Sequence, residues 1–142
     1  KSIAVGTQTV CALTTAGGAK CWGVKVGASP TQTESTSPVD VQGMTSGVAQ
    51  ISSGAGYACF LTTSNNVGCF GQNDWGQLGD GTTITRRSPV QVASGVARVA
   101  ASGSHSLFIK TDGSLWGMGL NDFGQLGDGT VTQRTSSTQL LL

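Results

Sequence analysis

Apolar residues recur along the chain at a fixed displacement. Ile51 follows Ile3 by 51 − 3 = 48 positions, and Val99 follows Ile51 by the same step. Two further series keep their apolar character at this displacement: Leu13, Leu61 and Ile109; Trp22, Phe70 and Met118. A fixed period of this length indicates a repeat protein. The 142 residues therefore divide into three copies, 1–48, 49–96 and 97–142, which together form one repeat domain, 1–142.

Each copy predicts short β-strands. In the second copy, apolar and β-branched runs at 48–53, 57–62, 67–71 and 88–92 are separated by residues typical of turns. We expect Pro89 at a strand start or a sheet edge, because proline cannot donate to a ladder. No segment has the apolar period of a helix. Four short antiparallel strands per copy predict an all-β fold made of β-propeller blades.

A glycine-rich loop recurs almost unchanged. Residues 73–82 read NDWGQLGDGT and residues 121–130 read NDFGQLGDGT, with nine of ten letters identical. Carboxylates in such turns can ligate calcium, but the DxDxDG spacing is absent and Asp suits Gly-Asp-Gly turns for backbone reasons. We therefore expect a structural role for the repeated residues: Gly76, Gln77, Leu78, Gly79, Asp80 and Gly81; Gly124, Gln125, Leu126, Gly127, Asp128 and Gly129.

Other positions are interpreted by comparing the copies. The first copy is degenerate over 25–36, where the repeated loop should stand. His105 has Tyr57 and Thr9 as counterparts, and we expect it to be a polar residue that locks one blade to another. Arg134 follows Arg86 by one period, which favours a structural bond to a neighbouring blade.

Three stretches of the third copy carry a family resemblance. Residues 103–109, GSHSLFI, residues 111–117, TDGSLWG, and residues 121–130 resemble the repeat of the regulator of chromosome condensation family. The resemblance implies a β-propeller, commonly of seven blades. Members of the family include a nucleotide-exchange factor for a small GTPase and a propeller-type β-lactamase inhibitor. Neither activity transfers, because the matching residues define the repeat and not a partner.

The cysteines form two pairs of equal spacing, Cys11 with Cys21 and Cys59 with Cys69. If each pair flanks a hairpin, the two residues lie opposite each other on adjacent strands, where a disulfide can form. Four buried free thiols and a metal site are the alternatives, although the spacing is unlike that of CxxC ligands. The resemblance supports the disulfides, since secreted bacterial members often carry this pair. Disulfides in turn predict an extracellular or cell-surface protein.

Composition excludes several functions. The net charge is +1 and only 11% of residues are charged, so no basic face for nucleic acid is expected. No apolar run reaches the length of a membrane span. His105 is the single histidine, and no phosphate-binding motif is present. We expect no cofactor, no metal and no enzymatic activity.

Three blades do not close a propeller, since known rings start at about four blades. Additional blades are therefore expected in cis, if the chain is part of a longer protein, or in trans. The sequence favours an extracellular binding scaffold with a protein partner. The alternative is a structural protein that assembles with further copies of itself, as a six-blade dimer or an open array. Candidate partner contacts are Trp75, Phe123, Arg87, Lys25 and Glu34.

Overall fold

The computed structural model describes residues 1–25, 27 and 31–141, which form twelve β-strands and no helix. The strands, in chain order, are β1 Ser2–Val5, β2 Thr9–Leu13, β3 Ala19–Val24, β4 Glu34–Asp40, β5 Val48–Ser53, β6 Tyr57–Thr62, β7 Val67–Gly71, β8 Arg86–Ala93, β9 Val96–Ser102, β10 His105–Lys110, β11 Leu115–Gly119 and β12 Arg134–Leu140. No described segment is a helix long and apolar enough to cross a membrane.

The strands build three four-stranded antiparallel sheets, β1–β4, β5–β8 and β9–β12, each in sequential order. This arrangement confirms the predicted propeller blades. The last strand of the second sheet is longer than expected, because a register shift between Cys69 and Gly71 allows Gly71 to pair with Arg86. Pro89 lies in this edge strand, which has a partner on one side only, so a residue without an N–H donor is tolerated there.

The core lies between the sheets. Cys11, Leu13 and Cys21 of the first sheet pack with Ile51, Phe60 and Phe70 of the second. A second cluster joins the disulfide-forming cysteines of the second sheet to residues of the third, including Val99, Phe108 and Met118. We call the side of a sheet that packs on the preceding sheet its leading face, and the opposite side its trailing face. Ile51, Phe60 and Phe70 define the leading face of the second sheet, and Cys59, Leu61 and Cys69 its trailing face.

Candidate functional site

The repeated loop is shaped by its own first residue. The Asn73 amide is fully buried, and its Nδ2 donates to Asp80 Oδ1 at 3.1 Å and to the Thr82 carbonyl at 3.0 Å. Its Oδ1 accepts the Leu78 amide at 3.0 Å. Asn121 makes the same three contacts in the third copy, at 3.1, 3.1 and 3.0 Å. These two asparagines were not among the predicted site residues, although each opens its copy of the repeated string.

The carboxylates of the loop are paired within their own copy. Asp80 Oδ1 accepts the Thr82 hydroxyl at 2.7 Å and its Oδ2 accepts Arg86 Nε at 2.6 Å. Asp128 pairs in the same way with Thr130 at 2.7 Å and with Arg134 Nε at 2.7 Å. The expectation that this repeated arginine bonds to a neighbouring blade is therefore wrong. The turn brings the arginine, six residues on, back to its own aspartate.

These bonds also set the charge state of the two acids. The Thr130 hydroxyl, together with Arg134, holds the pKa of Asp128 well below its ordinary value. Burial acts to raise the pKa of Asp80, but hydrogen bonds from Thr82 and Arg86 outweigh it and the pKa is lowered. Both side chains are therefore carboxylates at neutral pH.

The loop of the second copy is the part that docks on the third sheet. The Ser106 hydroxyl donates to the Gln77 carbonyl at 2.9 Å, and the Gly81 amide donates to the Thr135 carbonyl at 2.9 Å. A Cβ at Gly76 would lie 2.6 Å from Thr135 Cα, a distance that leaves no room for any side chain. Glycine at this position is thus required by the neighbouring sheet as well as by its φ of 75°.

The loop of the third copy has the same shape, and no sheet follows it within the described residues. Around Gly127 and Gly129 a Cβ would meet nothing within 4 Å, and at Gly124 it would meet only the Thr130 carbonyl of the same loop. Phe123 is 91% exposed, whereas its counterpart Trp75 is 40% exposed. The two predicted aromatic contacts therefore lie at equivalent loop positions with different surroundings.

The other three predicted contacts come together where the first copy departs from the repeat. Lys25, Glu34 and Arg87 line one cavity of about 230 Å³ at the junction of the first two sheets. Of the degenerate segment 25–36, residues 26 and 28–30 lie outside the described residues. Sequence reasoning named the three charged residues separately. The sequence alone does not place Arg87 beside the other two, because the cavity that they share depends on how the first two sheets pack.

The degenerate segment keeps one feature of the intact loops. Gly27 has a φ of 68°, and a Cβ on it would lie 2.8 Å from the Phe70 ring. A Cβ on Gly79 would meet Met118, the counterpart of Phe70, at 2.5 Å. Gly27 therefore has the docking role of Gly79, which was missed because the two loops differ in length.

Both cysteine pairs stand directly opposite each other across a hairpin. The Cys11 and Cys21 sulfurs are 2.08 Å apart and the Cys59 and Cys69 sulfurs are 2.17 Å apart, which are bonding distances. All four residues are fully buried. In the third sheet Leu107 pairs with Gly117 at this register, and a Cβ on that glycine would lie 2.9 Å from Leu107 Cδ2. A leucine side chain thus fills the volume that the disulfides fill elsewhere.

Tyr57, the counterpart of His105 in the second copy, bonds to the third sheet. The Tyr57 hydroxyl donates to the His105 backbone carbonyl at 2.6 Å and lies 2.9 Å from the Ser106 hydroxyl. Tyr57 therefore locks the second sheet to the third by bonding to the His105 carbonyl, and the blade-locking role of the His105 side chain stays a prediction. Burial raises the pKa of Tyr57 and lowers the pKa of His105, so both are neutral at neutral pH.

Three four-stranded meanders joined by docking loops define a segment of a β-propeller. Residues 66–109 match the family model described as the regulator of chromosome condensation (RCC1) repeat, and residues 96–125 match a second model of that repeat. The matched stretch, residues 66–125, is therefore similar to RCC1-type repeats. Repeats of this type are characteristic of protein-interaction scaffolds.

Solved structures show the same architecture. Human WBSCR16 superimposes with a TM-score of 0.85 at 25% identity, covering 99% of this chain and 39% of that one. Yeast RCC1 (Prp20), solved bound to Kap60, gives 0.80 at 22% identity, covering 98% and 37%. Prp20p from Saccharomyces cerevisiae gives 0.81 at 21% identity, covering 98% and 38%. The chain thus spans about two fifths of the length of these structures. No curated protein sequence is significantly similar to it.

Proposed function

We propose that the chain is a non-enzymatic, extracellular protein-interaction scaffold of propeller blades, organised as one domain, 1–142, with copies 1–48, 49–96 and 97–142. The observation that carries this proposal is a cavity lined by charged residues at the place where the repeat is broken. The polar side chains of the repeated loops bond to residues of the same copy, and Lys25, Glu34 and Arg87 line a cavity where the repeat is broken. A partner that binds this chain specifically would contact the residues at which the chain departs from the repeat.

The class of partner follows from the relatives. Yeast RCC1 was solved bound to a protein, Kap60, and Prp20p has binding properties to Gsp1p and histones. These partners belong to those proteins, and they support a protein as the partner class here. A cavity with two cations and one carboxylate fits a polar protein surface that carries both charges. Trp75, which is 40% exposed on the repeated loop 73–82, is a further candidate contact, because aromatic side chains dominate protein interfaces.

Photo-crosslinking tests this surface. A crosslinking amino acid at Arg87 should capture one discrete protein from the extracellular fraction of the source organism, and an excess of unlabelled chain should compete with capture. The matched control probe stands at Asp112, an exposed acid of the β10–β11 turn. Competition by unlabelled Glu34→Lys should be at least about tenfold weaker. Equal capture at both positions, or undiminished competition by that variant, would contradict the proposal.

The extracellular location has a separate support and a separate test. The two sulfur–sulfur bonding distances fit an oxidising compartment. Chain isolated from its source, denatured without reductant, should therefore show close to no thiols on titration. Four thiols per chain would contradict both the disulfides and the location.

A second proposed function is self-assembly, favoured by the two outer faces of the three-sheet stack. Ile3 and Val5 on the first sheet are 71% and 67% exposed. Ile51, the counterpart of Ile3, is only 7% exposed because a sheet covers it. Exposed apolar side chains at an unpaired sheet face mark an interaction surface.

A further inference from the structure

The two outer faces of the stack are the free halves of the interface that the chain already uses twice. The leading face of the first sheet carries Ile3, Ala12 and Trp22, the counterparts of Ile51, Phe60 and Phe70. The trailing face of the third sheet carries Leu107 and Ile109. Ile109 is 41% exposed, whereas its counterpart Leu61 is 5% exposed under the following sheet.

The docking glycines indicate which residue belongs in the free loop. A Cβ on Gly27 would meet Phe70, and a Cβ on Gly79 would meet Met118. Gly127 is the third member of this series, with a φ of 71° and open space around it. The residue one period before Phe70 is Trp22, on the exposed leading face. The aromatic side chain of Trp22 is therefore on the first sheet, and the open space at Gly127 that fits an aromatic ring is beside the third sheet.

Each outer face differs from the internal interfaces at one position. Inside the chain, Phe60 and Phe108 belong to core clusters that contain the cysteine pair of the preceding sheet. On the outer leading face the counterpart of these phenylalanines is the small Ala12. On the outer trailing face the cysteines are replaced by Leu107, which lies over Gly117. Because leucine over glycine fills the volume of the disulfide, the trailing face keeps an apolar surface at this position.

We propose that the trailing face of one copy docks head-to-tail on the leading face of a second copy of this chain, with Trp22 of the second copy over Gly127 and its Ala12 against Leu107. This junction rests on the second proposed function, self-assembly. The second copy is the occupant because its leading face continues the interface built twice within the chain. Gly127 also continues the series in which Gly27 lies against Phe70 and Gly79 lies against Met118.

Sedimentation velocity with two blocking variants tests the junction. Ile3→Lys places a charge on the leading face and Ile109→Lys places one on the trailing face. The control is Ile84→Lys, since Ile84 is 60% exposed and lies in the loop between β7 and β8 of the middle sheet. Wild-type chain and the control should associate as concentration rises. Each blocked variant alone should associate at least about a hundredfold more weakly, because an unpaired charge would be buried.

Mixing the two blocked variants gives the decisive result. Each keeps one intact face, so an equimolar mixture should form a heterodimer and nothing larger. Trp22→Ala should weaken association and Trp22→Phe should restore most of it, as Phe70 fills the same position in the second sheet. Far-ultraviolet circular dichroism and melting temperature verify that each variant is folded.

Two results would overturn the proposal in different ways. A wild-type chain that stays monomeric at the highest attainable concentration would overturn both the junction and self-assembly. Association that persists in both blocked variants, or a mixture that forms no heterodimer, would overturn the junction while self-assembly stands.

Discussion

The loops 73–82 and 121–130 have the same internal hydrogen bonds and different surroundings. Asn73 and Asn121 hold the same three partners at matching distances. The first loop is covered by the third sheet, while the second is open and leaves Phe123 91% exposed. The comparison teaches that the shape of the loop is set by its own residues. Its stabilising contribution to the stack depends on the sheet that follows.

The largest effect should come from the asparagines, and it should be nearly equal in the two loops. Asn73→Ala and Asn121→Ala each leave several donors and acceptors of a tight turn without partners, at a cost of about 2–4 kcal/mol in the free energy of unfolding. Urea denaturation measures both. Asn66→Ala is the control, since its side chain makes none of these bonds, and should cost less than about 1 kcal/mol. A loss in one loop alone would show that loop shape depends on the neighbouring sheet.

The glycines should behave in the opposite way. Gly76 and Gly124 have φ values of 75° and 71°, so alanine imposes a similar backbone penalty of about 1 kcal/mol at each. At Gly76 the new methyl group also meets Thr135 Cα, which adds about 1–3 kcal/mol. Both changes are made in the Ile109→Lys chain, which should stay monomeric and so leave Gly124 uncovered. Urea denaturation should then show a larger loss in the free energy of unfolding for Gly76→Ala than for Gly124→Ala. Equal losses in the free energy of unfolding for Gly76→Ala and Gly124→Ala would contradict the close contact between Gly76 and Thr135.

A smaller effect is expected at the tyrosine that locks the second sheet to the third. Tyr57→Phe removes the hydroxyl that bonds to the His105 carbonyl and lies beside Ser106, at a cost of about 1–2 kcal/mol in the free energy of unfolding. The counterpart change, His105→Phe, removes a side chain with no such contact in the described chain and should cost less. If His105→Phe proves the more damaging, the histidine ring has a role that its carbonyl does not explain.

The smallest expected effect is a response to acid. The pKa of Asp128 and that of Asp80 lie below the ordinary value of 3.8, so the stability they contribute is present above that pH. It is lost as the pH falls through the lowered values, because the unfolded chain binds protons first. Asp80→Asn and Asp128→Asn should each flatten the fall in melting temperature below pH 4. An unchanged acid limb in both variants would contradict this assignment.

The period of the sequence was sufficient to predict the blades, because apolar residues at fixed displacement must lie at equivalent places in equivalent sheets. It also predicted the positions of the cysteine pairs, since a symmetric hairpin puts them opposite each other. Contacts between copies were harder to predict. The need for glycine at position 76 comes from Thr135, and no local pattern shows that the two meet.

Two further residues show the same limit. The contact between Tyr57 and the third sheet uses the His105 backbone carbonyl, a group that every residue has and that sequence cannot single out. Gly27 was overlooked because the segment around it differs in length from the intact loops. Its role follows only from the distance of a Cβ to Phe70.

Amide hydrogen exchange at Gly81 and Gly129 tests the central claim, that the repeated loop docks on whatever sheet follows it. The Gly81 amide donates to the Thr135 carbonyl of the next sheet, and within the described chain the Gly129 amide has no equivalent acceptor. The account predicts slow exchange at Gly81 at all concentrations. At Gly129 it predicts fast exchange in dilute protein that slows as concentration rises. Equal exchange at the two glycines in dilute protein would contradict it.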